Sequence, residues 1–329
     1  MKTKLLYIVL LASGLAAPFF VYPVFAMQAL CVALFACAFN LLLGFTGLLS
    51  FGHATFFGTA GYFAGYAIKK GLSVDGIGLW GFNIPIHFSL PPFTPELGIL
   101  FGTLVAGVLG YIVGSLAIRR QGIYFAMITL ALSQLVYFIY LQVSFTGGED
   151  GLQGVPRGDL FGVISLKEDM VAYYVVYAIF LFGFWLIHRT IHSPFGQVLK
   201  AIRENEPRAL SLGYDVDQYK LIAFVISTAL AGLAGATKTM VLGAETLTDV
   251  HWHASGEVVL MTLLGGLGTI FGPVVGAFTI VTLQNQLSDK VGSWVTVIMG
   301  SIFVICVLAF RRGIVGELKA LFERKQSST

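Results

Sequence analysis

Residues 24–43 read VFAMQALCVALFACAFNLLL, a stretch of twenty residues with no charge and no proline, whose most polar members are Gln28 and Asn40. A helix rises about 1.5 Å per residue, so this run spans about 30 Å, the thickness of a bilayer's hydrocarbon core. Working outward, comparable apolar runs lie at 5–22, 52–68, 97–118, 123–143, 171–188, 220–241, 256–266, 272–288 and 293–310. The expected fold class is therefore all-α: a polytopic transmembrane helix bundle of about ten spans. Composition agrees. Hydrophobic residues make up 57% of the chain and charged residues 11%, whereas soluble domains carry about 25% charged residues. So little charge cannot cover a water-facing surface, and much of the surface must face lipid.

The run at 256–266 is too short to cross alone. It ends in Leu264-Gly265-Gly266-Leu267-Gly268-Thr269, which leaves a short tilted span or a half-helix lining a cavity, because irregular backbone at membrane depth needs protein or water to satisfy it. At the N-terminus, Met1-Lys2-Thr3-Lys4 and the apolar run that follows resemble a signal peptide with Ala16-Ala17 as a cleavage site. The next run begins near Val24, which favours a retained first span paired with it as a hairpin.

Orientation follows from the basic residues. With a cytoplasmic N-terminus, fourteen of the 20 lie inside, among them Arg119, Arg120, Arg189, Lys200, Arg311 and Arg312. Only Lys69, Lys70, Arg157, Lys167, Lys238 and Lys290 lie outside. Both termini are then cytoplasmic. Residues 1–312 form the membrane domain, with a cytoplasmic loop at 189–219, and 313–329 form a cytoplasmic tail. The outer loops 69–96 and 144–170 are rich in glycine and proline and are expected to hold ordered turns or short helices. The net charge of +3 forms no basic patch interleaved with aromatics, which argues against a nucleic-acid partner. Cys31, Cys37 and Cys306 sit in apolar runs without a Cys-x-x-Cys spacing and read as packing residues. Runs such as Gly58–Gly65 and Ala229–Gly235 place small side chains at i, i+3 and i+4, which lets helix backbones approach closely in lipid.

The 189–219 loop is the most informative polar segment. Ser193 is a good N-cap and Pro194 a good first helical residue. Pro207 stops that helix near Asn205. A second helix of under two turns follows, capped by Asn205 or Glu206 and closed at Gly213, and Asp217 is expected to cap the next span. The short helix exposes charge together with Ala209, Leu210 and Leu212. Two readings stay open: a docking knob for a soluble partner, or an interfacial helix that touches only lipid headgroups.

The segment Glu204-Asn205-Glu206-Pro207-Arg208-Ala209-Leu210-Ser211-Leu212-Gly213 resembles the coupling loop of ABC importer permeases. The flanking Ser193-Pro194-Phe195-Gly196 and Lys220–Ser227 are similar to the branched-chain amino acid permease family, LivM-like rather than LivH-like. Asn40–His53, Gly122–Ala131, Thr146–Leu152 with Gly154-Val155-Pro156, and Ser255–Glu257 leading to Gly265–Thr269 and Gly272-Pro273 resemble further motifs of that family in the same order. Pro207, between acid and arginine, departs from the coupling pattern. The resemblance covers roughly residues 25–312. It implies that Glu204, Asn205, Glu206, Arg208, Ala209, Leu212 and Gly213 meet an ATPase. It implies a second permease subunit as heterodimer partner, two ATP-binding subunits that hold ATP-Mg, and a soluble periplasmic or lipid-anchored substrate-binding protein. The setting would be a bacterial cytoplasmic membrane and the cargo leucine, isoleucine and valine, or in related importers urea or short amides.

Within the spans, Asn40, Ser50, His53, Thr129 and Glu257 are the candidate pathway or gate residues, since polar groups in lipid are functional candidates by default. His53 is either a gate residue or an interfacial histidine hydrogen-bonded to backbone freed by the Gly47–Gly52 break. Glu257 is either favoured by the dipole of a helix capped by Ser255, worth about 0.3–1 kcal/mol, or faces an outer cavity to meet a substrate ammonium. Thr129 and Ser133 share one helical face. Asp249, His251 and His253 fall short of the three or four convergent ligands a zinc site needs. Gly147–Gly151 lacks the Gly-Lys-Ser/Thr ending of a phosphate loop, so ATP chemistry would belong to a partner and the chain is expected not to be an enzyme. A secondary transporter would need mid-span acids or charge pairs, and a membrane enzyme a convergent catalytic set; neither pattern is evident in the sequence.

Overall fold

The computed structural model describes residues 2–71, 73–79, 82–89, 91–120, 122–294, 297–298, 300–302, 304 and 313–317. Its helices are α1 (Lys2–Phe20), α2 (Pro23–Thr46), α3 (His53–Lys70), α4 (Pro95–Ala117), α5 (Ile123–Gln142), α6 (Asp169–His192), α7 (Pro194–Glu204), α8 (Glu206–Ser211), α9 (Val216–Leu242), α10 (Trp252–Gly265) and α11 (Gly272–Val291). The fold is all-helical but for short strands. Among the described helices, α2, α4, α5, α6 and α9 are long and apolar enough to cross a membrane. The other predicted spans fall on α1, α3, α10 and α11. The predicted tenth span, 293–310, and the 313–329 tail lie largely outside the described residues.

The central element is α2, whose apolar window is 89% buried against 28% for α5, so the first is enclosed by protein and the second presents most of its surface outward. Around α2 stand α6, α9, α10 and α11, while α3 is held between α4 and α9. The small-residue runs explain the close approach. A Cβ added at Gly235 would stand 1.9 Å from the Phe57 carbonyl oxygen, and one at Gly102 would stand 2.5 Å from that of Ala60. Backbone therefore meets backbone, the arrangement that small residues permit in a bundle without water.

Two segments leave the helical pattern within the bundle. After α2 closes at Gly47, in the left-handed region at φ 79°, residues 47–52 turn back without regular structure and α3 begins at His53. The His53 ring bonds Ser227, which in turn bonds the Ala38 carbonyl. Ala38 lies eight residues, about 12 Å, before the end of α2. His53 is therefore inside the bundle and 0% exposed, not at an interface. The second such segment is 243–251, which runs antiparallel to α3: Glu245 abuts Gly61, Val250 abuts Gly58, and Ser255 bonds the Ala54 N–H at 2.8 Å. The short eighth run is thus a half-helix, α10, extended by a short strand and a single 3-10 turn (Leu247–Asp249) that α3 covers, as chain outside an α-helix at membrane depth requires.

The 69–96 region differs from expectation. It holds an antiparallel hairpin, β1 (Ser73–Leu79) with β2 (Phe82–Ser89), in place of turns or short helices. Val74, Ile77, Ile84 and Ile86 supply β-branched residues suited to strands. In 144–170, β3 (Leu152–Gln153) pairs with β6 (Ala244–Glu245) and β4 (Asp159–Leu160) with β5 (Ile164–Ser165). The first pairing ties this loop to the 243–251 segment.

Candidate functional site

Two regions carry the polar groups. At one end of the bundle, the α7–α8 pair is built as its caps dictate. The Ser193 side chain accepts from the Gly196 N–H at 3.3 Å, and Asn205 accepts from the Arg208 N–H at 3.1 Å. Gly213, at φ 85°, ends the turn. The cap of α9 is Asp215, which accepts from Gln218 at 3.2 Å. Asp217, expected there, lies in the first turn, because Val216 is buried and starts the helix two residues earlier.

This pair is anchored on two sides. Arg203 donates from Nη1 to the Gly44 carbonyl in the last turn of α2, and its guanidinium stands against Gly268. Asn40 completes the junction: its Nδ2 donates to the Thr269 carbonyl at 2.9 Å and its Oδ1 accepts from the Gly268 N–H at 3.1 Å. The glycine turn between α10 and α11 is thus clamped to α2, and the same place receives Arg203. On the other side, Glu206 forms an ion pair with Lys220 of α9 at 2.7 Å. Ala209, expected to be exposed, is buried with Ile202 and Val216, since a helix of under two turns must bury something to stay in place. Glu204, Asn205, Arg208, Leu212 and Gly213 face outward together with Leu210 and Tyr214.

Further along the bundle is a cavity of about 500 Å³ between α2, α3, α9, α10 and α11. Its wall is apolar at Val32, Phe35, Phe57, Val258 and Met261, and polar at Gln28, Lys238, Asp249, Glu257 and Gln284. Glu257 accepts from Gln284 Nε2 at 3.0 Å, with His253 Nδ1 3.8 Å away. The expected cap role of Ser255 does not hold. Helix α10 starts at Trp252 behind His251, whose side chain accepts from the His253 N–H at 3.3 Å. Glu257 is thereby moved past the first turn and onto the cavity wall. Lys238 is ion-paired with Asp249, and Glu245 accepts from Thr239.

The five pathway candidates do not form one site. Asn40 is in the junction and Glu257 in the cavity. Between them, Ser50 is fully buried with no hydrogen-bond partner for its hydroxyl among the described residues, and His53 is enclosed by Phe35, Phe39, Phe56 and Phe224. Thr129 bonds back to the Ala126 carbonyl at 2.9 Å within α5, while its own carbonyl faces Gly52. Ser133 accepts from Thr55 at 2.6 Å, so the two residues sharing a face have separate partners. Among the described residues, no three His, Cys, Asp or Glu side chains converge as a metal site would need. The charge pair Lys238–Asp249 was missed in the sequence. The available signal was a lysine inside the apolar run 220–241, which by itself marks a functional candidate.

A multi-pass helical bundle with a clamped half-helix, a half-open cavity and a small helical pair between two of its spans fits the body of a membrane permease. The chain belongs to the family described as branched-chain amino acid transport system / permease component, which matches residues 24–308. It is 25% identical, over 93% of its length and 73% of the relative's, to the high-affinity branched-chain amino acid transport system permease protein LivM of Escherichia coli K12. It is 28% identical to the probable branched-chain amino acid transport permease protein LivM of Methanocaldococcus jannaschii, over 58% of this chain and 57% of that one. The D-allose transport system permease protein AlsC of Escherichia coli K12 is also 28% identical, over 76% of this chain and 77% of its own. No solved structure matches the chain significantly.

Proposed function

We propose that the chain is the permease subunit of an ATP-binding-cassette importer of leucine, isoleucine and valine in a bacterial cytoplasmic membrane. On this reading the α7–α8 end faces the cytoplasm and meets ATP-binding subunits, which hold ATP-Mg. A second permease subunit completes the pore, and a soluble or lipid-anchored binding protein delivers the amino acid to the opposite end. The chain itself performs no catalysis.

The observation that carries the reading is the Arg203 contact. An outward-facing helical pair is joined through one side chain to the end of α2 and to the glycine turn that ends the half-helix α10. Displacing that pair displaces both elements that border the cavity, which is what a partner-driven gate needs. The cavity supports the cargo. Its aromatic and aliphatic wall suits a branched side chain, and Glu257 offers a carboxylate to an ammonium. A neutral amide as cargo draws its support from Gln28, Gln284 and Asn285 on the same wall.

The test is purification of the full chain from native membranes with its associated subunits, followed by reconstitution into vesicles. ATP-dependent uptake of labelled leucine, competed by isoleucine and valine and not by urea, is the expected result. Uptake by the isolated chain without ATP-binding subunits would overturn the proposal.

A further inference from the structure

The cavity wall carries a charge pair with no obvious structural need. Lys238 is 9% exposed, and its ammonium pairs with Asp249 while lying 5.4 Å over the Phe57 ring. Asp249 also accepts from Thr246 at 2.9 Å. Behind them, Glu245 is fully buried, with one carboxylate oxygen bonded to Thr239 and the other without a partner among the described residues. Enclosed ion pairs give little net stability over apolar residues of the same volume, so folding alone does not account for this one.

An α-amino acid carries its ammonium and carboxylate on a single carbon. To bind both, a site needs one positive and one negative group side by side, next to an apolar surface for the side chain. Lys238 and Asp249 are such neighbours on the cavity wall, and Phe35 and Phe57, stacked with centroids 4.5 Å apart, lie beside them. Glu257 and Gln284 hold a second acid and amide on the same cavity.

We infer that the Lys238–Asp249 pair is an exchangeable reader for a zwitterionic amino acid: it opens to give Lys238 to the substrate carboxylate and Asp249 to the substrate ammonium. This rests on the importer reading above. With the cavity empty the two residues satisfy one another. With substrate present each finds an equal opposite charge, so the net charge of the cavity does not change and neither ion is left unpaired. An uncharged solute provides no such exchange and leaves the pair closed. The stacked rings hold the aliphatic part.

The experiment compares the complete transporter carrying Lys238→Met with Asp249→Leu in one chain against wild type. It measures assembly, ATP hydrolysis stimulated by leucine-loaded binding protein, and uptake of labelled leucine. The expected result is normal assembly and ATP hydrolysis with uptake lowered at least tenfold. Asp249→Asn and Asp249→Glu provide the second comparison, in which the amide lowers uptake tenfold and the longer acid keeps at least a third of it. Wild-type uptake in the paired apolar variant, or equal uptake by the amide and acid variants, would overturn the inference and leave the importer reading intact. Absence of ATP-dependent leucine uptake in wild type would overturn the importer reading and the inference with it.

Discussion

Arg203, one residue from the end of α7, donates to the carbonyl of Gly44 in the final turn of α2. One side chain thus spans from a surface helix to the most enclosed helix of the bundle. The same guanidinium borders Gly268, in a turn held to α2 by Asn40. The contact joins α7 to the end of α2 and to the turn after α10 through a side chain that does not involve α9.

Loss of that contact should separate hydrolysis from transport. A hydrogen bond from a charged donor contributes about 1.5–3 kcal/mol, so Arg203→Ala is expected to lower ATP-driven uptake by about tenfold or more, the factor that ~1.4 kcal/mol represents. Hydrolysis in the same vesicles should stay near the wild-type rate. Equal loss of both activities would assign Arg203 to assembly.

Glu204 and Arg208 face outward, and nothing in the interior depends on their side chains. Surface substitutions of this kind usually change stability by less than about 0.5 kcal/mol. Glu204→Ala and Arg208→Ala should therefore leave thermal unfolding unchanged and reduce copurification of ATP-binding subunits. Full copurification with both variants would remove them from the docking surface.

Gly235 of α9 lies directly against the Phe57 backbone of α3. Even one methyl there would stand 1.9 Å from the Phe57 oxygen, and forced overpacking costs about 1–3 kcal/mol or more. Gly235→Ala is expected to lower the melting temperature and the yield of monodisperse protein. Gly107→Ala, whose new methyl would meet Ala229 at 3.5 Å, should change neither.

Glu257→Gln keeps the shape of the side chain and removes its charge. If the carboxylate meets a substrate ammonium, leucine uptake should fall about tenfold, equivalent to ~1.4 kcal/mol. The thermal unfolding curve should hold, since an amide oxygen can still accept from Gln284. A lowered melting point with normal uptake would assign Glu257 to packing.

The α7–α8 pair was legible because its signals are local. Ser193, Pro194, Asn205 and Gly213 act within three residues of themselves, and each sits where its chemistry placed it. The half-helix was legible only as one of two alternatives, because its partners are remote. Ser255 reads as a cap from its neighbours alone, yet its hydroxyl is taken by Ala54, far away in the chain. Lys238 and Asp249 were separately visible, but periodicity carries no information on the return of 243–251 alongside α3. Ala209 looked exposed since a helix of six residues has too few positions to display a face.

The return of the chain after α2, through 47–52 into α3, has a bearing on how the chain is made. The start of α3 is held by α9, whose Ser227 bonds His53. That helix is translated some 170 residues later. Until it leaves the ribosome, His53 lacks the Ser227 hydroxyl that it bonds in the finished chain. The polar partner that stabilises His53 inside the bundle is therefore supplied only once α9 has been made and packed.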